Sequence, residues 1–160
     1  MSELKRFQHE IRSAHAGEPW HGSSLKQILA EIDARAAGAR PIPEAHSIWE
    51  LVLHLTGWTR EVTRRLKTGR RAVPDEGDWP PVTAQTAQAW AAAKQALHEA
   101  HEELIKTIET FPEPRLHQPI EPGKPTTYAQ TLAGLTQHDA YHGGQISLLH
   151  KATKARAVVL

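Results

Sequence analysis

Thr136-Gln137-His138-Asp139-Ala140-Tyr141-His142-Gly143-Gly144-Gln145-Ile146 reads as a stretch of helix. Residues four apart on a helix lie one above the other, so His138 and His142 share a face. Leu135, Ile146 and Leu149 fall on the same face, which turns the pair toward a buried seam. Two imidazoles on such a seam need partners, and one metal ion suits both. Gly143 and Gly144 cost about 1 kcal/mol each relative to alanine in mid-helix. A neighbouring helix in close approach, or room for a ligand, would explain them.

Working outward, this helix opens at Thr127-Tyr128-Ala129-Gln130, a capping-box pattern, and carries Tyr128 and Leu132 inward. A second helix starts at Ser47-Ile48-Trp49-Glu50, another capping box, and keeps helical spacing through Leu51, Leu55, Trp58, Val62 and Leu66 to Gly69. A third runs from about Thr83 to Thr110 with Trp90, Leu97, His101, Leu104 and Ile108 inside, stopped by Pro112. The first is composite. Residues 2–15 place Leu4, Phe7 and Ile11 on one face, Gly17-Glu18-Pro19 breaks the run, and Ser24 caps a short helix with Leu25, Ile28, Leu29 and Ile32. The expected fold is all-α: a four-helix bundle with one extra short helix and long Pro/Gly-rich loops, one domain over residues 1–160. The polar loop with Pro74, Gly77, Pro80 and Pro81 is expected to wrap over the surface. The tail from Lys154 is open between strand, helix end and disorder.

Composition narrows the function. The chain has 160 residues, 39% hydrophobic and 23% charged, with net charge +1, so neither nucleic acid nor an anionic membrane is an expected partner. No apolar run approaches the roughly 20 residues that span a bilayer, and the N-terminus lacks the apolar core of a signal peptide. There are no cysteines, which excludes disulfides, thiolate metal sites and a cysteine nucleophile, and suits the cytoplasm.

Of the eleven histidines, His54 is the candidate third ligand. It sits beside Leu51 and Trp58, at the margin of the apolar stripe. Two histidines from one helix and one from another form an open site with positions left for water or substrate, as a catalytic metal requires. Imidazole binds zinc, nickel, iron or copper while neutral at pH 7. HExxH is absent, since Asp139 follows His138, so the glutamate base of that motif is missing. His101 reads as a fourth ligand, a supporting group or, more simply, a core histidine. Gln145 is placed to orient a ligand, Tyr141 flanks the pair, and Asp139 is either a base or a structural hydrogen-bond acceptor. His98 is expected to be exposed; His9, His15, His117 and His150 are not singled out. The basic run from Arg60 to Arg71 reads as a solvated helix end, and the tryptophans as core or dimer-contact residues.

Ser47-Ile48-Trp49-Glu50-Leu51-Val52-Leu53-His54, followed far downstream by His138-Asp139-Ala140-Tyr141-His142-Gly143-Gly144-Gln145-Ile146, resembles the DinB/YfiT-like superfamily, as does Pro19-Trp20-His21-Gly22 before Ser24-Leu25. The resemblance spans nearly the whole chain. It implies a four-helix bundle holding one divalent ion per chain on His54, His138 and His142, nickel or zinc foremost and iron or another ion as alternatives. It also implies a homodimer. Family activities include metal-dependent hydrolysis of small molecules and S-transfer or isomerisation with low-molecular-weight thiols. The expected function is hydrolysis through a metal-activated water. Thiol transfer with a diffusible thiol cosubstrate is the second reading, and a non-catalytic metal-binding or stress-associated bundle the third.

Overall fold

The computed structural model describes residues 2–158. Each helix begins where the sequence supplies a cap. Ser2 caps α1 (Glu3–Ala16), and the Ser24 N–H donates to Gln27 Oε1 at 2.8 Å at the head of α2 (Leu25–Ala30). Asp33 caps a second short helix, α3 (Ala34–Gly38), which the apolar spacing did not predict. At α4 (Ile48–Thr68) the expected box is complete: the Glu50 N–H donates to Ser47 Oγ and the Ser47 N–H to Glu50 Oε2. Gly69 ends it at φ 66°, a left-handed turn that favours glycine. Helix α5 (Ala87–Glu109) starts four residues later than expected, because Thr86 rather than Thr83 accepts from the helix, at Ala89 N–H. Thr127 and Gln130 box the start of α6 (Tyr128–Val158), so the tail continues this helix; residues 159–160 lie outside the described residues.

Helix α1 packs on α5 and α6, and α4 packs on the same two, which closes a four-helix ring; α2 lies on α1 and α6, and α3 on α4, α5 and α6. Among the described residues no strand forms, a single bridge pairs Pro119 with Thr127, and no helix is long and apolar enough to cross a membrane.

The core is divided. One apolar cluster gathers Phe7, Ile11, Leu66, Leu104, Ile108 and Leu132; the other gathers Leu25, Trp49, Leu55, Trp90, Leu97 and Ile146. Between them each long helix contributes a polar residue at the same level: His15 from α1, His54 from α4, His101 from α5, and His138, Asp139 and His142 from α6. Burying polar groups costs free energy unless each finds a partner, so this layer is where chemistry is to be sought.

Residues 72–79 form a strap that runs back along α4, antiparallel to it. The Ala72 N–H donates to Glu61 Oε1 at 2.7 Å, Arg60 meets Glu76 at 3.2 Å, and the Trp58 indole N–H donates to Asp78 Oδ1 at 2.7 Å. Pro74 sits where a Cβ on Gly57 would be 3.1 Å away, so α4 needs glycine there to let the strap down. The loop expected to wrap the surface is therefore stapled, and it carries Asp78 and Trp79 to the polar layer.

Candidate metal centre

His54 lies on α4 between Leu51 and Trp58, and His138 and His142 stack one turn apart on α6. Their Nε2 atoms converge: His54 to His138 is 2.9 Å and His138 to His142 is 3.0 Å. All three offer a nitrogen to one point, the arrangement a metal ion requires. Nitrogens that share one ion at about 2.0–2.1 Å stand roughly 3 Å apart, which both of these distances match, and all three nitrogens lie within 4.8 Å of one another.

The far nitrogens decide whether these Nε2 atoms can ligate. His54 Nδ1–H donates to the Asp78 carbonyl oxygen at 2.7 Å, and His142 Nδ1–H donates to Gln145 Oε1 at 2.6 Å. A carbonyl oxygen only accepts, so each Nδ1 carries a proton, and Nε2 is the nitrogen left to ligate. Burial, and then the neighbouring His142 and His54 imidazoles, lower the His138 pKa from 6.5 to about 4. Burial also lowers that of His142, with the Gln145 hydrogen bond opposing it. Two imidazoles oriented through Nδ1 and a third whose protonation burial disfavours form a nitrogen donor set suited to a borderline divalent ion.

Trp79 covers one side of the cluster. Its ring stacks on His54 at 4.0 Å between centroids and on His46 at 3.6 Å, so the indole is sandwiched between two imidazoles. Asp78 is not singled out by the sequence, and Trp79 reads there only as a core or dimer-contact residue. The available signal was Gly77-Asp78-Trp79-Pro80, a large aromatic in an otherwise polar loop.

The other expected residues divide. Gln145 Oε1 accepts from His142 Nδ1. Tyr141 is 64% exposed and meets His142 only edge-on at 5.0 Å, so it does not support the ligands. His101 is not a fourth ligand. Its Nε2–H donates to Asp139 Oδ2 at 2.9 Å and its Nδ1–H to the Leu97 carbonyl oxygen at 2.9 Å. Both nitrogens face acceptors, so His101 is an imidazolium paired with Asp139. Burial opposes that charge, but the Asp139 carboxylate prevails and raises the His101 pKa. Asp139 is thereby a structural partner and not a base for the histidine cluster. His15, passed over in the sequence, is buried and stacks on His101 at 3.9 Å, and burial followed by the His101 charge lowers its pKa. His98 is half-buried rather than exposed, 3.2 Å from His15. The basic run is not wholly solvated either: Glu61, fully buried, holds both Arg64 and Arg65. Gly143 does admit a neighbour, Leu25, whereas a Cβ on Gly144 would meet nothing within 4 Å.

A family model described as the DinB superfamily matches residues 20–146. No curated protein and no solved structure matches the chain.

Proposed function

The chain belongs to the DinB superfamily, and from that premise we propose that it is a metal-dependent hydrolase acting on a small molecule, with His54, His138 and His142 holding one divalent ion, nickel or zinc. The convergence of three Nε2 atoms, two of them on rings held by acceptors at Nδ1, supports the reading. A divalent ion bound there supplies Lewis acidity and lowers the pKa of a coordinated water toward about 7.

The chain's own residues prepare the rest. Asp78 and Gln145 keep the ring protons at Nδ1 and so fix the imidazole planes. Trp79 excludes water from one face of His54. A cavity of about 420 Å³ opens beside His54 and His138, and Asp78 is the carboxylate in its wall. Its Oδ1 accepts from Trp58, and its Oδ2 is the atom we assign to receive the proton that the nucleophile releases.

Elemental analysis of protein purified without a histidine tag tests the first step. One equivalent of metal in the native chain, lost in His54→Ala, supports the assignment; unchanged metal content in His54→Ala removes it. Ester or amide turnover without added thiol then supports hydrolysis, and turnover that requires an added thiol supports transfer instead. The expected homodimer we assign to the exposed apolar side chains Ile42, Tyr141 and Leu148. Light scattering checks it: Leu148→Glu should halve the mass of the native species.

A further inference from the structure

The cavity beside the histidines is a groove with two chemically different ends. Along α4 it follows His54, Trp58, Val62 and Arg65, and along α6 His138, Leu135, Gly134 and Thr131. At 1.5 Å per residue, the α6 side alone extends the groove by about 10 Å from His138 to Thr131. The middle is apolar, from Trp58, Val62 and Leu135. The far end holds a guanidinium.

Arg65 is the informative residue. Its side chain is only 11% exposed, so it is part of the wall. Its Nε donates to Glu61 Oε1 at 2.9 Å and its Nη2 to the Ala72 carbonyl oxygen at 3.1 Å. These two bonds fix the guanidinium, which lies 5.5 Å above the Trp58 ring. Its Nη1 has no hydrogen-bond partner among the described residues. Glu61 also binds Arg64, so one carboxylate faces two guanidiniums and a positive charge is left over. Thr126 stands at the same end of the groove. An immobilised, partly desolvated arginine with a donor to spare is suited to an anion. Gly134 matters differently: a Cβ there would meet nothing within 4 Å, so the groove is wide at its midpoint because no side chain fills it.

We propose that this groove binds a substrate with an apolar body and an anionic end, the anion held by Arg65 and the reacting group presented to His54, His138 and His142. The second half of that statement rests on the metal-dependent reading above; the anion-ended groove does not. In the metal-free protein, Asp78 at the histidine end and Arg65 at the other direct an anionic end toward Arg65.

Octanoate and its uncharged counterpart octanamide are suitable probes, titrated calorimetrically against metal-free and zinc-loaded protein with zinc content measured on the same samples. In metal-free protein, octanoate should bind about tenfold more tightly than octanamide. Arg65→Met should abolish that preference and Arg65→Lys should keep part of it. Gly134→Leu should block both probes while leaving zinc content and helicity intact, since leucine is a better helix former than glycine. Equal affinity for the two probes, or octanoate binding that survives Gly134→Leu in a folded protein, overturns the proposal. Absence of zinc from every sample, with the octanoate preference retained, overturns the metal reading and leaves the groove standing.

Discussion

The polar layer contains two groups of histidines with different neighbours: one converges on a single point, and the other is built on an ion pair with Asp139. On the α4–α6 side, Nδ1 of His54 and of His142 each donates to a carbonyl oxygen, and their Nε2 atoms converge on that of His138. The Asp78 carboxylate also stands 3.3 Å from His54 Nδ1. On the α1–α5 side, His101 meets an acceptor at each nitrogen and is itself the cation, neutralised by Asp139. The side chain is the same and the burial similar; what faces Nε2, an imidazole or a carboxylate, separates them. A group that is already a cation has no lone pair for a metal. The molecule therefore has one place to put an added positive charge and one place where the charge is built in.

Removing a member of the convergent group should have the largest effect. His138→Ala and His142→Ala should abolish stoichiometric metal, whereas His101→Gln should leave the metal content near the native value. Metal lost in His101→Gln, by elemental analysis of folded protein, would erase the distinction between the groups. Asp139→Ala comes next and should act on stability instead. It strands the buried His101 cation, at a cost of about 3–5 kcal/mol. Urea denaturation of the metal-free protein measures this, and a loss below about 1 kcal/mol would mean that His101 is neutral.

Gln145→Leu is a smaller perturbation, because the ligand stays and only its orientation is released. Metal affinity should fall by about 10–100-fold, as read by competition with a chromophoric chelator. The weakest effect is with pH. His15, His138 and His142 all have folded pKa values below 6.5, so the unfolded chain takes up protons first as pH falls. Their contribution to stability is present above about pH 6.5 and is lost as pH falls, down to about 4 for His138 and about 2 for His15. His101, with a raised pKa, works in the opposite sense: its contribution is complete below about pH 6.5 and is lost as pH rises through the folded value. Metal-free protein should thus melt lower at about pH 5 than at about pH 7, because His150 is lowered as well and four histidines act against one. A flat melting profile would mean that the convergent imidazoles are far wetter than their burial indicates.

The convergent group was legible in the sequence because its members sit on long helices with clear caps. Ser47 and Glu50 set the register of α4, and Thr127 with Gln130 set that of α6, so His54, His138 and His142 could be placed on inward faces. The charged group was only half legible. His101 fell on an apolar stripe, but its partner Asp139 lies about 100° around α6 from His138, and which helix faces that side depends on packing order. Periodicity within one helix carries no such information. His15 was missed for the same reason. Asp78 and Trp79 were missed because the strap has no period at all; its position comes from contacts with Gly57, Trp58, Arg60 and Glu61, each unremarkable until α4 exists to carry them. The late start of α5 is a simpler matter of two threonines, Thr83 and Thr86, both able to cap.

The strap also divides the histidine cluster by folding order. His54 and Asp78 are 24 residues apart, and His138, His142 and Gln145 lie within one stretch of α6, so each half can assemble locally. Joining them brings together positions 84 residues apart in the chain. Closing a loop of that length is slow relative to forming either half, and its entropic cost grows only with the logarithm of its length. An ion shared by the two halves would act as a reversible cross-link across that loop. It would slow unfolding most where the closure forms late, and its grip would scale with free metal concentration rather than with any fixed property of the polypeptide.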